Sequence, residues 1–193
     1  MAQHFVAPEF HLFVAPEFHL LVTELKETPR TGWVKRGIPN PESIGDHTFS
    51  STLLACDFAR AVGRDPQEIS YFMQNHDQPE VKAGDVSPHC GVSAGEKEKR
   101  EIEAAQYLAD LSGNPLIISM FLEYQDKQTW RAKIGNDADK LDPLTQAIRY
   151  ARLYPEKREA LEDFWPYAHD RLITDVGFRY FDNVHKIWEK PSI

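Results

Sequence analysis

Apolar residues recur along this chain at steps of three and four, and nowhere do they alternate with period two for long enough to form a half-buried strand. Ile44, His47, Ser51, Leu54 and Phe58 fall on one stripe, and Ile69, Phe72, Met73 and His76 on another. Such stripes bury one face of a helix against other helices. The predicted fold class is all-α, a single helical bundle.

Helix starts and stops are legible. Ser43-x-x-Asp46 resembles a capping box, and Gly63 closes the helix it opens. Asp65-Pro66-Gln67-Glu68 starts the next, with an N-cap, Pro at the first position and Glu at the third. That helix is expected to end near Asp77, before Pro79. Glu96–Leu111, Pro115–Asp126 and Thr129–Leu153 read as helices, the last interrupted or kinked at Pro143. Thr28–Pro41 and Val81–Gly95 carry several Pro and Gly and read as loops. Beyond Leu153 the pattern stays helical, with Trp165 and Trp188 as packing material.

The sequence FVAPEFHL occurs twice in succession, at Phe5–Leu12 and Phe13–Leu20. Copies this short are not solenoid units. Only the second leads into a helix, with Pro16 at its first position and Phe18, Leu21, Val22 and Leu25 at helical spacing. Residues 1–15 are therefore expected to be extended or loosely ordered, and residues 16–193 to form the domain.

A chain of 193 residues fits one domain with a sizeable core. Its net charge of −8 argues against a duplex nucleic-acid partner, which calls for a basic face. Cys56 and Cys90 form neither a disulfide framework nor a Cys-based zinc motif. No apolar run is long enough to span a bilayer, and no signal peptide is visible, so the expected compartment is the cytoplasm. The expected partners are a small-molecule nucleotide and further copies of the chain, as a homodimer or higher homo-oligomer.

Two strings carry the chemistry: His76-Asp77 with Glu80 three residues on, and Asn136-Asp137-Ala138-Asp139-Lys140-Leu141. His47, facing inward from its stripe, completes the set. One imidazole, an imidazole–carboxylate pair and a distant carboxylate form a cage for one divalent cation with coordination positions left open, which activates water. The distant carboxylate is ambiguous. On the stripe Trp130, Ile134, Asp137, Leu141, periodicity puts Asp137 on the apolar face and Asp139 off it.

The chain resembles the HD-domain metal-dependent phosphohydrolases, and within them the 5′-deoxynucleotidase branch. The matching stretches are Pro29 to Val34, Pro41-Glu42-Ser43 through Asp46-His47, His76 to Glu80, Gly84 to Pro88, Glu96-Lys97 with Arg100-Glu101, and Ala132-Lys133 through Asp139 to Gln146-Ala147. They run in family order across roughly residues 20–150. The resemblance implies an all-helical fold with the metal site among the central helices. It implies metal ligands at His47, His76, Asp77 and Asp139, and a single ion (Mn, Co, Zn or Fe), because only His89 lies between the His-Asp pair and the last Asp. It also implies that Glu80, with Asp77, acts on the nucleophilic water or the leaving group, and that Asp85 contacts a sugar hydroxyl.

Arg30 and Arg36 flank Trp33; forked guanidinium donors suit phosphate, and the indole offers a flat face to a base or sugar. Lys97 and Arg100 stand near a helix start, against the macrodipole, where phosphate binding would explain them. Gln78-Pro79, Pro143 and His89-Cys90-Gly91 depart from the family pattern. The expected reaction is hydrolysis of a (deoxy)nucleoside 5′-monophosphate. The alternatives are removal of triphosphate from a deoxynucleoside triphosphate, and a catalytically silent nucleotide-binding protein.

Overall fold

The computed structural model describes residues 15–86 and 91–190, so the first FVAPEFHL copy and His89-Cys90 lie outside the described residues. The helices are α1 (Pro16–Thr23), α2 (Thr31–Lys35), α3 (Ile44–Ala61), α4 (Pro66–Asn75), α5 (Glu80–Ala83), α6 (Ala94–Ser112), α7 (Leu116–Asp126), α8 (Trp130–Leu153), α9 (Phe164–His169) and α10 (Asp175–Trp188). Among the described residues there is no strand, only an isolated antiparallel bridge between Pro29 and Ser43. The all-α expectation holds.

The capping chemistry works as read. Asp46 N–H donates to Ser43 Oγ, and the Asp46 carboxylate accepts from Ser43 N–H at 2.9 Å, opening α3. Asp65 caps α4 through Gln67 N–H. Ser93 and Thr129 cap α6 and α8 in the same way. The second repeat copy supplies α1, with Pro16 as its first residue.

Three expectations change. Thr28–Pro41 contains α2, five residues long, fitted between Pro29 and the left-handed Gly37 (φ 64°). Val81–Gly95 begins inside α5, which closes at Gly84 (φ 80°). The helix α8 runs through Pro143 without a break. Proline lacks only one donor there, the one that would reach the carbonyl of Asp139.

The bundle is centred on α8, against which α3, α4, α7, α9 and α10 all pack. Phe58, Ile69, Phe72, Met73, Leu141, Leu144 and Trp165 fill the space between them. Each fully buried large apolar side chain contributes about 1.5–3 kcal/mol. Gly135 sets how closely α4 approaches α8, since a Cβ there would lie 2.8 Å from Met73 Sδ. A smaller cluster of Leu108, Ala109 and Ile117 joins α6 to α7 and receives Phe18, Leu21 and Val22 of α1.

Candidate metal centre

Two helices deliver their histidines onto the central one. His47 projects from the second turn of α3, and His76 caps the end of α4. Just beyond that cap the backbone turns, with Glu80 N–H donating to Asp77 O at 3.0 Å. The turn lets Asp77 point where His76 points, which adjacent residues inside a helix cannot do. Asp139 comes from α8. One ligand atom from each of His47, His76, Asp77 and Asp139 lies within 4.8 Å of all the others, and all four residues are buried.

Hydrogen bonds prepare the donor atoms. His76 Nδ1 donates to Met73 O at 2.6 Å. Its Nε2 is buried and makes no hydrogen bond among the described residues, although Asp77 Oδ2 lies 3.3 Å away. His47 Nδ1 lies 2.8 Å from Asp142 Oδ2; a carboxylate only accepts, so Nδ1 carries the proton. His47 Nε2 then faces Asp139 Oδ1 at 3.1 Å and Asp77 Oδ2 at 3.5 Å.

The electrostatics call for positive charge at this point. Burial and Arg30 disfavour a charged His47, yet the carboxylates of Asp139 and Asp142 outweigh them and push its pKa up to about 10. Burial alone would raise the Asp139 carboxyl, but Lys140, His47 and His76 hold it well below the usual carboxylate range. Asp77 is likewise lowered, by His76 and His47 against burial. Two imidazole nitrogens and two carboxylates, one nitrogen without a hydrogen bond among the described residues, suit a divalent cation, which takes over the charge that a proton otherwise supplies. Mn, Co, Zn and Fe all accept such ligands.

A cleft of about 630 Å³ opens on the cluster and is lined by His76, Asp77, Glu80, Asp139, Arg30 and Lys97. Glu80 is buried and its Oε2 has no hydrogen-bond partner among the described residues. Burial, then Asp77 and Asp85, push its carboxyl well above the ordinary range. Arg30 NH1 donates to Asp77 Oδ2 at 3.3 Å. Lys97 pairs with Glu101 at 2.9 Å. Asp85 lines the cleft, and its Oδ2 accepts from Thr31 N–H at 2.5 Å, fixing the start of α2.

Three substrate-side expectations meet different surroundings. Trp33 is only 1 % exposed; its ring stacks on Phe164 (centroids 4.3 Å apart), meets Tyr150 edge-on, and donates from Nε1 to Glu42 at 2.8 Å. No face is left for a base, because α2 turns the indole into the core instead of leaving it on a loop. Arg36 lines the cleft but is engaged by Asp163, by the carbonyls of Ala160 and Gly32, and by the Phe164 ring. Arg100 is outside the cleft lining and pairs with Glu96 one helical turn away.

Asp137 is turned away from the cluster. Its carboxylate accepts from Ile173 N–H, Thr174 N–H and Thr174 Oγ1 at 2.9, 2.8 and 2.6 Å. Sequence reasoning passed over Asp142, Tyr124 and Lys140. Tyr124 Oη donates to Asp139 Oδ2 at 2.6 Å, and Lys140 Nζ lies 2.7 Å from the same oxygen. The signal for Asp142 was present: it follows Asp139 by three, on one helix face. Tyr124 had no sequence signal, since only the packing of α7 on α8 brings it there.

Comparison with known proteins adds a family. The family described as "HD domain" matches residues 22–174. The 5′-deoxynucleotidase HDDC2 of Danio rerio is 32% identical over 136 residues, covering 69% of this chain and 68% of that protein. The 5′-deoxynucleotidase hdd1 of Schizosaccharomyces pombe is 32% identical over 151 residues, covering 75% and 76%. A solved structure, a conserved hypothetical protein from Pyrococcus furiosus, superposes with a TM-score of 0.72 at 26% identity, covering 88% of this chain and 98% of that one.

Proposed function

The chain belongs to the HD-domain family, and from that premise we propose that it is a metal-dependent 5′-deoxynucleotidase. It would convert deoxynucleoside 5′-monophosphates to nucleoside and phosphate. The observation that carries this reading is the buried His47/His76/Asp77/Asp139 set, three of which line a cleft that also holds Arg30, Lys97 and Glu80. Relatives named 5′-deoxynucleotidases favour it over triphosphate release and over a silent nucleotide binder. We also propose that it acts in the cytoplasm.

His47, His76, Asp77 and Asp139 would hold a divalent cation, which would supply an acidified water and polarise a phosphate oxygen. The chain's own groups do the rest. The Arg30 guanidinium offers forked donors to the phosphate. The Asp77 carboxylate would take a hydrogen bond from the attacking water. Glu80, whose carboxyl keeps its proton well above the ordinary range, is the proton donor for the leaving 5′ oxygen. Replacing that acid by an amide removes the proton and keeps the shape. Glu80→Gln is expected to lower kcat by about 10²–10⁴-fold with metal content unchanged. Steady-state kinetics with elemental analysis checks this, and undiminished turnover would assign the proton transfer to another group.

A further inference from the structure

Lys140 is a cleft cation that the metal-ligand set does not explain. It follows Asp139 on α8, and neighbours on a helix normally point apart. Its side chain nevertheless turns back so that Nζ lies 2.7 Å from Asp139 Oδ2 while still lining the cleft. The same Asp139 oxygen already accepts from Tyr124 Oη without it. An ammonium beside a site for a divalent cation repels that cation, so a purely structural ion pair here works against the metal centre.

The charges beside the two ligand carboxylates give the ammonium a use. Asp77 and Asp139 together carry two negative charges, which a divalent cation cancels. Lys97 is matched by Glu101 at 2.9 Å. The positive charges then left beside the two ligand carboxylates are Arg30, next to Asp77, and Lys140, next to Asp139. A phosphate monoester carries about −1.5 to −2 at neutral pH. Two cations from different elements, one beside each carboxylate ligand, match that charge and grip its oxygens from separate directions.

We infer that Lys140 is a phosphate-binding residue of the cleft, acting with Arg30 on the substrate's phosphate dianion. This rests on the monophosphate reading above. It predicts that Lys140→Met leaves the metal in place but raises both KM for a deoxynucleoside monophosphate and the dissociation constant of inorganic phosphate. The latter is measured by calorimetry on metal-loaded protein. Loss of one charged hydrogen bond is expected to change each by about tenfold or more. Lys140→Arg, which keeps the charge, is expected to retain most of the phosphate affinity. Unchanged phosphate affinity in metal-loaded Lys140→Met would overturn the inference. So would loss of the metal at saturating concentration, which would make Lys140 part of the metal centre. If the native protein hydrolyses no monophosphate, the parent reading fails, and the phosphate calorimetry still decides the role of Lys140.

Discussion

An imidazole binds a cation through one nitrogen, and the other nitrogen decides which one is available. For His47 that decision lies with Asp142, 2.8 Å from Nδ1 in a fully buried pair, so Nε2 is presented to Asp77 and Asp139. Removing such a partner typically weakens metal binding about 10–100-fold. Asp142→Ala is expected to show that loss in a chelator-competition titration while the helical spectrum persists; unchanged affinity would mean that packing alone orients the ring. The histidines themselves were legible because each interrupts or ends an apolar stripe, where a polar side chain needs a reason. For Asp142 only its spacing from Asp139 was legible, because its partner lies on another helix 95 positions away. The phosphate-side residues were least legible. Whether Arg, Lys or Trp reaches a cleft depends on what else engages it, as Asp163 and Phe164 engage Arg36.

The element that misled periodicity is α8. A stripe argument assumes one wet face and one dry face, but α8 is surrounded by five other helices, and Asn136 through Asp139 are all buried. Its aspartates then divide by neighbour. Asp139 faces α3 and the end of α4, whereas Asp137 faces the segment between α9 and α10. There it holds the backbone N–H groups of Ile173 and Thr174. Gly177 permits this close approach, because a Cβ there would run into the Asp137 carboxylate. Asp137→Ala is therefore expected to destabilise the fold by about 1–3 kcal/mol in denaturant unfolding and to keep the metal. Asp139→Ala is expected to lose the metal and keep the fold. The reverse pattern would move the fourth ligand to Asp137. Capped helices such as α3 and α4 were legible because their start signals are local. The short α2 was not, since its Pro and Gly neighbours read as breakers while its stability comes from Trp33 packing on Phe164 and Tyr150.

At the scale of the whole molecule, a chain of net charge −8 concentrates Arg30, Lys97 and Lys140 at one cleft, beside a set of buried ligands. Net charge excluded nucleic acid as an expectation, but it could not show which cations line the cleft, because these three come from distant parts of the chain. No helix among the described residues is long and apolar enough to cross a membrane. The central claim is that this cleft hydrolyses deoxynucleoside monophosphates through a divalent metal. The direct measurement incubates chelated and metal-reloaded protein with deoxynucleoside mono- and triphosphates and identifies the products. The expected products are nucleoside and inorganic phosphate from the monophosphates, abolished by chelation and restored by a divalent cation. Release of intact triphosphate with no turnover of monophosphates, or turnover that survives complete metal removal, would contradict it.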